Sequence, residues 1–144
     1  MKVLFLDIDG VLCLNDPHII EVVNILCVKK IVDGANVKIV LSSAWRARPQ
    51  WLQSARKQLR AQGVHIYDIT PVIPTRLFER GYRWKEIQEW LLNHPNVDKF
   101  AILDDDVDAM IPGDTKSYFY VDYDTNGLTN EKADEIIKFF KEEL

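Results

Sequence analysis

The feature that most constrains this chain is a short apolar run that ends in two carboxylates. Residues 3–6 are all apolar, as in a buried strand of a parallel sheet, and Asp7 and Asp9 follow with one residue between them. Because alternate side chains of an extended segment share a face, both carboxylates can point into one small space. Two like charges held close together are unfavourable unless a cation or a shared proton offsets them, so the pattern indicates a functional site.

The same pattern, an apolar strand followed by polar residues, recurs along the chain. Residues 37–41 lead into Ser42 and Ser43, and residues 100–103 lead into three consecutive Asp residues. Strands are also predicted at about 64–67 and 117–121, and helical spacing of apolar residues predicts helices at about 17–31, 49–62, 83–93 and after 129. Strands that alternate with helices predict an α/β fold with a parallel sheet.

Length and composition indicate one ordinary globular domain. The 144 residues suffice for one sizeable core, and the hydrophobic fraction of 47% is typical of folded proteins. We therefore expect a single domain over residues 1–144. No segment resembles a signal peptide or approaches the roughly 20 apolar residues of a membrane span, which favours a cytoplasmic protein without membrane contact. Cys13 and Cys27 lack metal-site spacing, so we expect free thiols.

Charge is distributed unevenly along the chain. The formal net charge is -4, which disfavours a protein that coats nucleic acid. Residues 46–85 contain nine Lys or Arg against two Asp or Glu, whereas residues 86–144 contain five against 15. The basic segment is either a solvated helix surface or a surface that attracts an anionic substrate, and the sequence leaves both interpretations open.

The polar clusters suit phosphoryl transfer assisted by a cation. In parallel sheets the strand carboxyl ends carry the ligand site, and carboxylates gathered there suit a hard cation such as Mg²⁺. With the cation on one oxygen of Asp7, the other oxygen can attack phosphorus and form an aspartyl-phosphate. Asp9 could protonate the leaving oxygen and then activate water. The Ser42 hydroxyl and a fixed Lys or Arg would bind the phosphoryl oxygens.

These clusters resemble the motifs of haloacid dehalogenase (HAD) superfamily phosphatases in their order. Residues 7–11, Asp-Ile-Asp-Gly-Val, are similar to the first motif, in which the first Asp is the nucleophile and the second is the acid and base. Ser42 is similar to the second motif, and Asp104-Asp105 to the fourth. The resemblance implies a Rossmann-like three-layer sandwich with about five parallel strands. It also implies a Mg²⁺ site made by Asp7, the main-chain carbonyl of Asp9, Asp104 and Asp105.

The third motif is a basic residue near the start of the helix before the fourth strand, and its candidates are Arg76, Arg80, Arg83 and Lys85. Residues 83–87, Arg-Trp-Lys-Glu-Ile, resemble a small subgroup of HAD-like domains found in RNA-repair proteins, which favours Arg83. Residues 41–46 and 127–129 resemble the same subgroup. The resemblance implies phosphate contacts from Ser42, Ser43, Arg46 and Arg83.

The acidic run after the fourth strand leaves one assignment open. Either Asp104 or Asp105 is the direct metal ligand. We expect Asp106 to lie behind the metal ligands or at the protein surface, and Asp108 to be an exposed charge.

The spacing between motifs leaves no room for a cap domain, which HAD enzymes of small metabolites usually carry. About 32 residues separate Asp9 from Ser42 and about 40 separate Ser42 from Arg83, and predicted helices and strands fill both intervals. By family analogy, an open site suits a large or polyanionic substrate, such as a nucleic-acid end or a phosphoprotein. We predict a Mg²⁺-dependent phosphomonoester phosphatase. The alternatives are a polynucleotide-end phosphatase of nucleic-acid repair and a non-catalytic HAD-fold binding or regulatory module.

Overall fold

The computed structural model describes residues 1–14, 19–73, 83–122, 124 and 126–142, and the five strands in this part of the chain form one parallel sheet. The strands are β1 (Lys2–Leu6), β2 (Lys38–Leu41), β3 (Ile66–Ile69), β4 (Lys99–Asp104) and β5 (Tyr118–Tyr120). Their order across the sheet is β3-β2-β1-β4-β5. The chain therefore changes direction across the sheet at β1, and such a switch point is where open α/β sheets bind ligands.

Helices cover both faces of the sheet. The helices of the described segments are α1 (Val22–Ala35), α2 (Pro49–Ala61), α3 (Arg83–Leu92) and α4 (Asn130–Lys141). Buried residues of α1, α2 and α4 share one core cluster, whereas Ile87 and Trp90 of α3 belong to a second cluster. This three-layer α/β arrangement confirms the Rossmann-like fold class.

The position of β1 in the middle of the sheet explains why residues 3–6 are all apolar. Leu4 and Leu6 belong to the core cluster under α1, α2 and α4, whereas Val3 and Phe5 belong to the cluster under α3. Successive side chains of a strand point to opposite faces, so a strand covered on both faces needs an apolar residue at every position. The polar residue that ends the run marks the edge of the sheet.

The first helix differs from its prediction, which was wrong at both ends. It was expected at about 17–31, but residues 19–21 are not helical and the helix extends to Ala35. Ile20 is buried and its backbone N–H donates to Gln58 Oε1 at 2.9 Å, which holds this segment against α2. The sequence predicts that Gly34 closes this helix, because glycine favours helix ends, but Gly34 lies in the last turn. An added Cβ there would lie 3.0 Å from Ile137 Cδ1, so Gly34 permits close packing of α1 on α4. The sequence also predicts an N-cap at Asp16 with Pro17 at the first helical position, and both residues lie outside the described part of the chain.

The described segments between the strands contain no additional domain. Between β1 and β2 they hold α1, and between β2 and α3 they hold a short 3-10 helix (Ala44–Ala47), α2 and β3. No cap covers the carboxyl edge of the sheet in these segments. None of the described helices combines the length and apolar character needed to cross a bilayer.

Candidate functional site

A row of buried polar residues follows four neighbouring strands at the carboxyl edge of the sheet. Leu6 pairs with Leu41 and Leu103, and Leu41 pairs with Ile69. The residue after each of these continues the hydrogen-bond ladder, because the amides of Asp7, Ser42 and Thr70 each donate to the neighbouring strand. From β3 to β4 the row therefore reads Thr70, Ser42, Asp7 and Asp104. All four are at most 6% exposed.

Three carboxylates meet at one end of this row. One oxygen from each of Asp7, Asp104 and Asp105 lies within 4.8 Å of the others. Gly10 permits this meeting, because a Cβ at that position would lie 2.0 Å from Asp105 Oδ2, and its φ of +80° also favours glycine. Gly10 thus makes space for a carboxylate from the segment that follows β4.

Burial dominates the electrostatics of this cluster. It raises the pKa of Asp7 to about 6, against the lowering effect of the Arg83 guanidinium. Burial, together with the negative charge of Asp7, raises the pKa of Asp104 to about 9. Both groups titrate as a pair. Ionisation of both carboxyl groups is therefore unfavourable unless a cation is bound.

The donor set of the cluster fits a hard divalent cation. Asp104 Oδ1 accepts a hydrogen bond from the Asp106 amide at 3.0 Å, but Asp104 Oδ2 is buried without a partner among the described residues. A buried carboxylate oxygen without a partner is unfavourable, and a cation would satisfy it. Carboxylate oxygens are the ligands that Mg²⁺ prefers. Asp7, Asp104 and Asp105 could therefore hold Mg²⁺.

Arg83, the first residue of α3, contacts two residues of the row. Its Nη1 lies 3.5 Å from Asp7 Oδ1 and also donates to the main-chain carbonyl of Ser42. Ser42 Oγ is fully buried and has no partner in the described part of the chain. The Arg83 guanidinium and the Ser42 hydroxyl, which lacks a hydrogen-bond partner among the described residues, thus flank Asp7. Among the other candidates, Lys85 is exposed with its ammonium near the Trp84 ring, and Arg76 and Arg80 lie outside the described residues.

Arg46 has a different environment from that of a phosphate ligand. Its side chain is 3% exposed, and its guanidinium bonds to protein acceptors in every direction. Nε donates to the Thr70 carbonyl at 3.0 Å, and Nη1 donates to the carbonyls of Ser42 and Ser43 at 3.1 and 2.8 Å. Nη2 donates to the Pro71 carbonyl at 3.1 Å and pairs with Glu86 Oε1 at 2.7 Å. These five contacts use all five N–H groups of an arginine.

Glu86 connects the Arg46 cluster to the helix that carries Arg83. Its Oε1 pairs with Arg46, and its Oε2 accepts a hydrogen bond from the Ile73 amide at 2.9 Å. Glu86 is 7% exposed and lies one helical turn after Arg83. We call Arg46 and Glu86 the brace, since they join the ends of β2 and β3 to the first turn of α3.

Asp9 and Ser43 occupy positions beside the row. The Asp9 side chain is exposed and lies outside the three-carboxylate cluster, and its Oδ1 accepts a hydrogen bond from Trp45 Nε1 at 3.0 Å. Trp45 is 1% exposed, so this bond gives the carboxylate a rigid partner. Ser43 Oγ accepts a hydrogen bond from the Trp45 amide at 3.2 Å and thereby caps the 3-10 helix.

The acidic residues after β4 form a turn behind the cluster. Asp106 is exposed, and its Oδ1 accepts a hydrogen bond from the Asp108 amide at 2.9 Å, which caps the short 3-10 helix Val107–Ala109. Asp108 is partly exposed. Asp105 lies in the carboxylate cluster together with Asp104, so the choice of direct ligand between these two stays open.

The sequence did not indicate three residues of this region. Trp45 contacts Asp9, Glu86 anchors Arg46, and Thr70 Oγ1 is a third buried polar atom without a partner among the described residues. Thr70 could have been found from strand register, since it follows β3 as Ser42 follows β2. Trp45 and Glu86 lie within residues 41–46 and 83–87, which resemble the RNA-repair subgroup, but their contacts join distant segments and the sequence assigned them no role.

Comparison with known families agrees with the geometry. Residues 3–133 match the family described as the HAD domain in Swiss Army Knife RNA repair proteins. No curated protein and no solved structure matches the chain. The family match spans the whole row, the carboxylate cluster and the brace. The chain therefore belongs to the family of HAD domains found in Swiss Army Knife RNA repair proteins.

Proposed function

We propose that this protein is a Mg²⁺-dependent phosphatase that hydrolyses phosphomonoesters through an aspartyl-phosphate on Asp7. The observation that carries the proposal is the cluster of Asp7, Asp104 and Asp105 next to Arg83 and the orphaned Ser42 hydroxyl. A buried cluster of carboxylates is unfavourable for folding, and a site for a cation and a phosphoryl group explains it.

Asp7 is the nucleophile in this mechanism. One of its carboxylate oxygens attacks phosphorus while the bond between phosphorus and the leaving oxygen breaks. Bound Mg²⁺, held by Asp7, Asp104, Asp105 and the main-chain carbonyl of Asp9, would supply positive charge that favours ionised carboxylates and the phosphoryl oxygens. Arg83 supports the reactive form of Asp7, because its charge opposes the effect of burial on the Asp7 pKa.

Asp9 moves the proton. Its exposed carboxyl group protonates the leaving alcohol, and in the second step it accepts a proton from the water that attacks the aspartyl-phosphate. Inorganic phosphate leaves and Asp7 is regenerated. The hydrogen bond from Trp45 holds the Asp9 carboxyl in one orientation through both steps.

Ser42 and Arg83 bind the phosphoryl oxygens. The Ser42 hydroxyl has no acceptor in the described residues, so it is available to donate to phosphate. We assign Ser43 and Arg46, which the sequence placed with them, to supporting roles. Ser43 caps the 3-10 helix that carries Trp45, and Arg46 fixes the backbone of Ser42 through two carbonyl contacts.

We further propose that the phosphate is at the end of a polynucleotide. The family occurs in RNA repair proteins, and no cap encloses the site in the described segments. An open site admits a chain end that a closed pocket would exclude. Phosphate release from a terminally phosphorylated oligonucleotide should exceed release from the matching mononucleotide. Equal rates would indicate a general phosphatase, and preference for a phosphopeptide would indicate a phosphoprotein substrate.

Hydrolysis of an aryl phosphate tests the chemistry independently of the natural substrate. Asp7→Asn should abolish Mg²⁺-dependent turnover while the circular dichroism spectrum is unchanged. Asp33→Asn, which alters an exposed carboxylate on α1, is the matched control and should keep full activity. Turnover by Asp7→Asn would exclude the covalent mechanism. Failure of the unaltered protein to bind Mg²⁺ and to hydrolyse any phosphoester would instead indicate the non-catalytic HAD-fold module.

A further inference from the structure

The exposed surface of α2 carries a stripe of one neutral polar and three basic side chains that the proposed chemistry does not use. Its members are Gln53, Arg56, Lys57 and Arg60, at positions i, i+3, i+4 and i+7, so they lie on one side of the helix. Together with Ala61 they line a depression of about 520 Å³. Lys57 and Arg60 are exposed and Arg56 is partly exposed. We call these residues the α2 stripe.

The α2 stripe lacks neighbouring carboxylates in sequence. From residue 34 to residue 67 the chain contains no Asp or Glu and six Lys or Arg, although its net charge is -4. The next acidic residue, Asp68, accepts a hydrogen bond from Trp90 Nε1, which turns one of its oxygens toward α3. Chance mixing of charges on a solvated helix would place acidic residues among the basic ones.

Within the described segments the stripe also lacks ion pairs in space. Two lysines of α1 pair with acidic residues, Lys29 with Asp33 at 2.7 Å and Lys30 with Asp134 at 2.8 Å. Across the segments that the structure describes, Arg56, Lys57 and Arg60 form no ion pair within 4.0 Å. Arg56 Nη1 donates to the Ile66 carbonyl at 3.2 Å, which fixes its position without neutralising its charge. The stripe therefore presents uncompensated positive charge.

The direction of α2 connects the stripe to the candidate active site. The helix begins at Pro49, directly after the 3-10 helix that follows Ser42 and Ser43, so its first turn lies toward the carboxyl edge of the sheet. From Pro49 to Arg60 the helix rises about 17 Å, at 1.5 Å per residue. That length spans several consecutive phosphates of one nucleic-acid strand, since the axial rise in a duplex is about 3.4 Å per nucleotide and an extended strand spaces its phosphates further apart.

We propose that the α2 stripe binds the sugar-phosphate backbone of a polynucleotide strand whose phosphorylated end lies at Asp7. The inference rests on the proposed function for the identity of that end, but the surface itself is independent of catalysis. A polynucleotide fits better than an acidic phosphoprotein, because its charges repeat at regular short intervals along a length comparable to that of the helix. The contacts are to phosphates and carry no sequence preference.

The test compares two variants that change the net charge equally. Lys57→Gln/Arg60→Gln removes two positive charges from the stripe, and Lys138→Gln/Lys141→Gln removes two exposed charges from the last turn of α4. Arg56 is left unchanged because it bonds to the Ile66 carbonyl. Binding of a fluorescent single-stranded oligonucleotide without a terminal phosphate is measured by anisotropy over a range of salt concentrations, and turnover of an aryl phosphate is measured in parallel.

Two lost phosphate contacts should reduce the slope of log affinity against log salt by about 1.4, since each contact on a single strand contributes about 0.7. The same arithmetic predicts a loss of roughly 25-fold in affinity at 0.1 M salt and almost none at 1 M. The α4 variant should keep the affinity and slope of the unaltered protein, and both variants should hydrolyse the aryl phosphate normally.

Three outcomes would overturn the proposal. They are an unchanged slope in the stripe variant, an equal loss in the α4 variant, and a loss confined to an acidic phosphopeptide tested alongside. These outcomes are distinguishable from failure of the proposed function. Absence of aryl phosphate hydrolysis would refute the phosphatase, whereas the binding experiment would still report on the α2 stripe.

Discussion

Replacing Asp104 with Asn should stabilise the protein when no divalent cation is present. Asp104 is 2% exposed, and burial together with the charge of Asp7 raises its pKa from 3.8 to about 9. The folded protein therefore keeps a proton that the unfolded chain releases at neutral pH. Asn imitates the protonated carboxyl group. Its oxygen can accept the hydrogen bond from the Asp106 amide, and its NH₂ group can donate a hydrogen bond to Asp7.

The magnitude follows from the pH dependence. A carboxyl group whose pKa is raised by folding contributes its full stability below pH 3.8 and loses stability as pH rises toward about 9. The loss is about 1.4 kcal/mol per pH unit, which amounts to up to about 4 kcal/mol at pH 7. The asparagine side chain in the variant does not titrate. The stability advantage of Asp104→Asn should therefore grow by about 1.4 kcal/mol per unit between pH 5 and pH 8.

Urea denaturation with a chelator at several pH values measures this difference. Addition of Mg²⁺ should narrow the difference, because the unaltered protein gains about 2.7 kcal/mol at a cation concentration 100 times the dissociation constant, whereas the variant has lost one ligand. Asp33→Asn, on an exposed turn of α1, should show neither effect. Lower stability of Asp104→Asn at pH 7 in chelator, or a difference that does not change with pH, would refute the account of the cluster.

Two further substitutions test how the site is held together. Glu86→Gln should lower the free energy of unfolding, measured in urea, by about 3–5 kcal/mol, because Arg46 then stays buried without its carboxylate partner. Equal stability of the variant and the unaltered protein would refute the claim that the brace holds the site together. If the brace positions Arg83, the same substitution should lower kcat by a larger factor than it changes KM. Gly10→Ala should weaken Mg²⁺ binding measured by calorimetry, since the new Cβ would lie 2.0 Å from Asp105 Oδ2, and unchanged affinity would exclude Asp105 as a ligand.

The sheet and the polar row were predictable because both depend on local patterns. An apolar run at a strand position predicts burial on both faces, and the first polar residue after it marks the carboxyl edge. Asp7, Ser42 and Asp104 therefore appear together once the strands are aligned side by side. The family resemblance rested on the same residues and is confirmed by the match over residues 3–133.

The features that escaped prediction depend on contacts between distant segments. The sequence predicts a phosphate contact for Arg46 but not its hydrogen bonds to the carbonyls of Thr70 and Pro71, which lie 24 and 25 residues further along the chain. The start of α1 depends on a hydrogen bond between Ile20 and Gln58, 38 residues apart. Backbone carbonyls occur at every residue, so the sequence does not indicate which of them an arginine will contact.

The most direct test of the central claim is to find the phosphoryl group on Asp7. The protein is mixed with a terminally phosphorylated oligonucleotide and Mg²⁺, quenched rapidly in acid, and analysed by peptide mass spectrometry. The account predicts one phosphoryl group on the peptide that contains Asp7, and none in the Asp7→Asn variant. Turnover without any phosphorylated peptide, or phosphorylation at another residue, would contradict it.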